Sequence, residues 1–296
     1  IVRYLIESSL GNLWMEIHPD SVLKDKLSRS VFSPNPSRRP LKLARDISFL
    51  DPACGSMHFG LAAFDVFAEM YKEELANAGQ PGWPEKASVE REEDIPGAIV
   101  ANNIHGIDID LRAVQLSALT LFLKARGGNP KSFFNDRNIV CANVEPLVGS
   151  SLDEFVRGSS TDHPVVGRVL QTLSVTLRES DSLGSLVRLE EDLRRLVAEE
   201  RRKAVVDRQK TFDMPGIRKE SFESADDMDS FFDALEADIE ERLDRFVRSS
   251  GETKRNAARF AHEASKGIRL LDIVRRRYDV VATNPPYMSR RNQSPL

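Results

Sequence analysis

Several things are scarce in this sequence, and each scarcity excludes a class of protein. Only two cysteines, Cys54 and Cys141, occur in 296 residues. They stand far apart with no basic-then-apolar leader before them, so a disulfide framework is not expected and both are read as reduced. No apolar run approaches the roughly 20 residues needed to cross a bilayer. Together with the missing leader, this predicts a soluble, cytoplasmic chain with no membrane partner. An excess of basic charge is lacking too: 42 Lys and Arg face 46 Asp and Glu, a net charge of -4. A module whose main task is gripping nucleic acid is usually basic. Any hold on phosphates would therefore come from local patches or from parts of a longer protein.

Two nucleotide signatures are also absent. There is no G-x-G-x-x-G after a strand and no G-x-x-x-x-G-K-[ST], so neither a dinucleotide site nor a phosphate-cradling loop is supported. What is present is 41% apolar and 30% charged residues, enough for a folded core under a solvated surface.

The apolar pattern along the chain alternates between strands and helices. Residues 1–45 read as a helical region, with Val2, Leu5, Ile6 and Leu10 on one stripe, followed by a Pro/Ser/Arg-rich connector from Ser33 to Pro40. Residues 46–149 follow the strand–helix–strand–helix–strand rhythm of a doubly wound parallel sheet. The strands are expected at Ile47–Leu50, Ile104–Ile109 and Asn138–Ala142. The first helix would carry Phe59, Ala62, Ala63, Phe67 and Met70 inward, the second would run from about Leu111 to Ala125, and residues 77–97 read as a loop. Residues 150–267 break the rhythm. Leu186, Leu189, Leu193 and Leu196 form one helical stripe and Phe231, Leu235, Ile239, Leu243 and Phe246 another, so a helical insertion is expected there. Residues 268–296 return to the sheet with a fourth strand, Tyr278–Ala282, and a loop.

In such sheets ligands sit beyond the carboxyl ends of the strands, and three segments at those ends stand out. The first is Asp51-Pro52-Ala53-Cys54-Gly55-Ser56-Met57-His58. Small residues let the backbone approach a ligand, and Asp51 suits an ammonium group. Cys54 and His58 have no partner at ligand spacing, so no metal is expected. The second is Gly106-Ile107-Asp108-Ile109-Asp110. Asp108 is placed to accept two ribose hydroxyls and Ile109 to lie against an adenine ring, while Asp110 caps the next helix. A nucleoside with an amino-acid end and no phosphates fits this set, as S-adenosylmethionine does. The third is Asn284-Pro285-Pro286-Tyr287, just after an apolar strand. The prolines rigidify the loop and remove two donors, leaving the Asn284 oxygen and the Pro285 carbonyl as acceptors for a planar amine that Tyr287 can stack upon.

Taken together, the three segments resemble the amino-methyltransferases that modify adenine in DNA. Their order resembles the subgroup with the cofactor loop first and the target-recognition domain last. The long gap between loops and the upstream Leu10-Gly11-Asn12-Leu13-Trp14 are most similar to the type IIG restriction–modification methylases and the BREX phage-defence methylases.

The resemblance implies a class I, doubly wound, Rossmann-like sheet, here truncated and carrying a long helical insertion. It implies S-adenosylmethionine as cofactor, lined by Asp51, Pro52, Ala53, Cys54 and Gly55 at its methionine end, with Asp108 on the ribose and Ile109 on the adenine. Asn143 stands where the family usually has an acidic residue, and Met57 where its loop usually has glycine. The residues implied to hold a flipped adenine of double-stranded DNA are Asn284, Pro285, Pro286 and Tyr287. Other defence-system components are implied as partners.

Ile1 opens within a helical pattern, and Leu296 follows the Asn284 loop closely. The expectation is therefore part of a longer protein, with an aromatic-Thr-Pro segment before Ile1 and further strands and the recognition domain after Leu296. Two alternatives stay open: a methyltransferase for a glutamine side chain or an RNA base, and an inactive cofactor-binding fragment. Arg275, Arg276, Arg277, Arg290 and Arg291 flank the fourth strand and are candidates for phosphate contacts.

Overall fold

A computed structural model describes residues 1–27, 38–131, 137–144, 155, 238–239, 241–248 and 254–284. The chain divides into two compact units, Ile1–Asn143 with Arg277–Leu296, and Val144–Arg276. Among the described residues, the first unit holds four parallel strands: β1 (Phe49–Asp51), β2 (Ile104–Asp108), β3 (Ile139–Cys141) and β4 (Val280–Val281). Their order is β3-β2-β1-β4. Phe49 pairs with Ile104 on one side and with Val280 on the other. The chain thus steps from β1 out to β3 and then returns to the opposite side of β1, which makes the gap between β1 and β4 the switch point of the sheet.

The helices of this unit are α1 (Val2–Ile17), the short α2 (Leu23–Lys26), α3 (His58–Asn77), α4 (Ile95–Asn102) and α5 (Leu111–Gly128). Helix α3 buries Phe59, Ala62, Ala63, Phe67 and Met70, the expected stripe, against β1 and β2. On α1, Ile6 and Leu10 are fully buried as expected, but Leu5 is 43% exposed. The inward face of α1 instead runs through Leu13, Trp14 and Ile17. Helix α4 corrects the reading of residues 77–97 as loop throughout. Pro96 and Gly97 resemble loop punctuation, yet Pro96 occupies the first turn of α4, where a missing N–H costs nothing.

Polar anchors tie the helices to the sheet at the end away from the carboxyl termini of the strands. Asn103 is fully buried, and its amide nitrogen donates to the Ala44 and Ile47 carbonyls at 2.7 Å each while its oxygen accepts from the Tyr71 hydroxyl at 2.9 Å. Two adjacent buried glutamates of α3 work in the same way. Glu73 accepts from the Trp14 indole (2.7 Å), the Ser21 hydroxyl (2.7 Å) and the Val22 amide (2.6 Å). Glu74 accepts from the Ala44 amide at 2.6 Å and from the Ser88 amide. A buried carboxylate is tolerated only when its lone pairs are taken up in this way.

In the second unit, α6 (Lys254–Arg275) buries Ala257, Phe260, Ala264, Ile268 and Leu271. The Phe155, Phe246 and Phe260 rings meet with centroids 5.5 to 5.8 Å apart. Ile239 and Leu243, from the second expected stripe, are buried. The Leu186–Leu196 stripe, Phe231 and Leu235 lie outside the described residues. No helix among the described residues is long and apolar enough to cross a membrane.

His18 ends α1 fully enclosed, stacked on Trp83 at 4.1 Å, with its Nδ1 3.3 Å from the Gly82 carbonyl. Burial lowers its pKa below the ordinary 6.5. The unfolded chain therefore binds a proton that the folded chain refuses, and stability falls as pH drops below about 6.5. Chemical-denaturation midpoints measured between pH 8 and 5 should show this decline. In His18→Phe, which keeps a ring in the stack, that part of the slope should vanish.

Candidate active site

The turn after β1 is held by the end of β2. The Cys54 amide donates to the Ile107 carbonyl at 2.9 Å, and the Gly55 amide donates to the Asp108 carboxylate at 2.8 Å. From the other side, the buried Ser117 hydroxyl of α5 donates to the Gly55 carbonyl at 2.7 Å. Gly55 has φ +53°, and a Cβ placed there would meet no atom within 4 Å. The space above this backbone is open, as a ligand cradle requires.

Met57 stands in the same turn at φ 67°, a left-handed conformation that disfavours side chains. Its side chain is fully buried rather than turned towards the open face. A Cβ on Gly60 would come within 2.5 Å of the Met57 sulfur, and one on Gly106 within 2.9 Å of its methyl. The methionine thus takes the backbone shape of a glycine and packs its side chain into space left by two real glycines. It leaves the cradle side of the turn clear.

Asp51 ends β1 with 1% exposure. Its carboxylate accepts from the Ala53 amide at 3.1 Å and from the Thr283 hydroxyl beyond β4, with Asp108 nearby. Burial raises its pKa above the usual carboxylate range, the two hydrogen bonds oppose this, and the Asp108 charge adds to it. Asp108 receives the Gly55 amide on one oxygen and the Asp110 amide on the other at 2.9 Å. Each oxygen keeps a second lone pair. Asp110 caps α5 by accepting from the Arg112 amide at 2.9 Å, as its position predicts.

The other sequence candidates lie around these two carboxylates. Pro52 and Ala53 are half-exposed in the turn. Ile109 is 73% exposed immediately after β2. Asn143 is exposed just past β3, beside Ala142, whose amide donates to the Asp108 carbonyl at 2.8 Å. Asn284 is exposed two residues after Ala282, whose amide donates to the Leu50 carbonyl at 3.1 Å. Pro285, Pro286, Tyr287, Arg290 and Arg291 lie outside the described residues.

Cys54 is buried beside Ser117, and its thiol is pushed up to about 11 by burial, so it is an inert packing group. Arg275 is corrected as a phosphate candidate: it is buried and paired with Asp272, which also holds Arg276 at 2.7 Å. Arg277 is exposed.

Sequence reasoning missed Thr283 and Ser117. The signal for Ser117 was available, since it interrupts the otherwise apolar face of Val114, Leu121 and Ala125. For Thr283 no signal existed, because its partner Asp51 is 232 positions away along the chain.

The packing around Met57 carries a prediction. Gly106→Ala should destabilise the fold by about 1–3 kcal/mol through overpacking. In a Met57→Ala background the same change should cost less, because the nearest obstructing atom, the Met57 methyl, is gone and only the Cys54 side chain at 3.1 Å remains to give way. A double-mutant cycle on denaturation midpoints measures this coupling.

Residues 102–295, from the end of α4 past the Asn284 loop, match the Eco57I restriction-modification methylase family. The chain is 28% identical over 320 residues to the adenine-specific methyltransferase BrxX of Escherichia coli O9:H4 (strain HS), covering 97% of this chain and 22% of that protein. It is 27% identical over 209 residues to the adenine-specific methyltransferase PglX of Lacticaseibacillus casei (strain Zhang), covering 65% of this chain and 16% of that protein. The chain thus spans about a fifth of the length of these curated relatives. Its parallel α/β sheet fits the Rossmann-like fold of a methyltransferase. With well over half of its length matched, the chain belongs to the Eco57I restriction-modification methylase family.

Proposed function

We propose that this chain is the cofactor-binding and catalytic part of a site-specific DNA adenine methyltransferase acting in restriction–modification or phage defence. The observation that carries the reading is the meeting of Asp51, Asp108 and the Asn284 strand around the β1–β4 switch point, with Thr283 bonded to Asp51. The strand order β3-β2-β1-β4 supports a class I, doubly wound sheet, and family membership supplies the class of reaction.

The residues present fit S-adenosylmethionine. Open space over Gly55 admits a ligand against the backbone. The buried carboxyl of Asp51 gains from a cationic amine, which offsets the cost of its burial. Asp108 has lone pairs left for ribose hydroxyls, exposed Ile109 offers an apolar face to an adenine ring, and Asn143 offers an acceptor to its edge. When bound, this cofactor supplies a methyl group on a positively charged sulfur. The protein's own contribution is to the nucleophile. An exocyclic amine of adenine is a poor one, because its lone pair is delocalised into the ring. The Asn284 oxygen and the Pro285 carbonyl accept its N–H bonds and favour the electron-rich, pyramidal nitrogen of the transition state. Tyr287 stacks on a base rotated out of the duplex, at a cost of a few kcal/mol. No covalent enzyme intermediate is required.

Two outcomes test the reading in the full-length protein. Asn284→Ala should keep cofactor affinity, measured by calorimetry, and lower transfer of labelled methyl to DNA adenine at least ~100-fold. Near-normal turnover, or label appearing in protein or RNA instead of DNA, would sink it. Asp51→Asn should weaken cofactor binding about tenfold or more through loss of a charge-assisted contact. The same change should raise the melting temperature at neutral pH. The sign follows from the raised pKa, since the folded state bears the cost of an ionised, buried carboxyl at every pH above the ordinary range. Melting curves with and without cofactor separate the two effects.

A further inference from the structure

Strand β4 leads into Asn284, yet the strand itself is short and only partly buried. It has two residues, and among the described strands it pairs only with β1. Neither residue is buried: Val280 is half-exposed and Val281 is 56% exposed. Register in a sheet is normally enforced by burial of alternate side chains, or by a tight turn from the neighbouring strand. Here both constraints are weak: Val280 and Ala282 pack against the core but are only partly buried, and among the described residues the chain leaves the sheet at Cys141 and returns at Val280 with no tight turn between neighbouring strands. A long excursion transmits no register. A slip of two residues would keep the same faces and move Asn284 by about 6–7 Å.

A side-chain clamp stands where these constraints are weak. Asp279, the residue before β4, receives the Lys42 ammonium at 2.7 Å on both carboxylate oxygens. Its Oδ2 also accepts from the Ser48 amide at 2.8 Å and lies 3.2 Å from the Ser48 hydroxyl. In return, the Asp279 amide donates to the Ser48 carbonyl at 3.0 Å. Ser48 is the residue before β1. The pair is partly shielded, with 35% of the lysine side chain and 19% of the aspartate exposed, so it is screened less than a surface pair. Just before Asp279, the Tyr278 ring meets His105 of β2 edge-on at 5.1 Å. All these contacts hold in one register only. A shift of β4 by a single residue would take the Asp279 carboxylate away from Ser48 and Lys42 together.

We infer that Asp279, gripped by Lys42 and Ser48, is the register pin of β4 and a positioning residue for methyl transfer, acting through Asn284. The inference rests on the reading of Asn284 as the acceptor for the target amine. It goes beyond that reading by assigning Asp279 and Lys42, which meet at the opposite end of β4 from Asn284, control over where that acceptor stands. Misplacing a reacting group by about 1 Å can cost on the order of 100-fold in rate. The pin should therefore appear in kcat and leave binding of the cofactor intact.

The test uses the full-length protein with Asp279→Ala, Asp279→Asn, Lys42→Met and Lys42→Arg, and Lys26→Met as a control that breaks the unrelated 2.7 Å pair with Glu69. Methyl transfer to DNA is resolved into kcat and KM, cofactor affinity is measured by calorimetry, and amide hydrogen exchange is followed peptide by peptide. Asp279→Ala and Lys42→Met should lower kcat roughly 10- to 100-fold with cofactor affinity within about threefold. Lys42→Arg should recover most of the rate. Asp279→Asn should fall between, because an amide oxygen still accepts from Ser48 but forms no ion pair. Exchange at Val280 and Ala282 should quicken at least ~10-fold while Ile104–Asp108 stays protected. Lys26→Met should change none of these.

The inference is overturned if Asp279→Ala leaves kcat within twofold of wild type, or if exchange at Val280 and Ala282 is unchanged. It is also overturned if protection falls across the whole sheet together with cofactor affinity, which marks a general loss of structure. Absence of DNA methylation by the wild-type protein would instead defeat the functional reading, and the exchange measurement would still decide whether Asp279 pins β4.

Discussion

The amides of Cys54 and Gly55 donate to the Ile107 carbonyl and the Asp108 carboxylate, and this pair of hydrogen bonds joins the turn after β1 to the end of β2. Much of the first unit's site end depends on it. With the turn held there, Met57 is carried into a left-handed conformation and its side chain drops between Gly60 and Gly106. Helix α3 then begins at His58 over β1 and β2, and Ser117 of α5 closes the turn from its far side. Asp108 thereby serves two ends. It holds the loop, and each of its oxygens keeps a second lone pair.

The sheet order explains how one small unit can present groups from such distant parts of the sequence. Stepping outward from β1 to β3 and then back across to β4 leaves the ends of β1 and β4 side by side. Asp51 and Thr283 bond there although most of the chain separates them. Asp51 is held in a state that costs stability, since burial and a neighbouring carboxylate both oppose its charge. That cost is one ground for the proposal that Asp51 meets a cationic group of a ligand. The buried glutamates of α3 form the contrast. Glu73 and Glu74 have their lone pairs occupied by donors from α1 and the connecting loops, and they serve the scaffold.

The elements that follow from local pattern were legible in the sequence. The stripe of α3, the cap at Asp110 and the strands β1 to β3 all arise from periodicity or from one residue's preference for a helix end. The strand limits shifted by one or two residues because pairing, not apolar content, decides where a strand begins and ends. The loop reading of residues 77–97 failed at α4, because Pro96 is compatible with a first helical turn and the local signals for loop and helix start coincide there. Leu5 misled in a related way: it lies near the apolar stripe of α1, but α3 covers only part of that surface.

By itself, the sequence determined which segments stand out as candidates for the chemistry. Asp51–Gly55, Asp108–Ile109 and the Asn284 loop are recognisable because their residue types are unusual at strand ends, and that property is local. Only the tertiary structure decided how those residues meet and what supports them. It joined Gly55 to Asp108 and Thr283 to Asp51, turned Met57 away from the cradle, and set Lys42 and Ser48 around Asp279. These are contacts between residues tens to hundreds of positions apart. Their energies depend on burial and distance, which no local pattern of residues encodes.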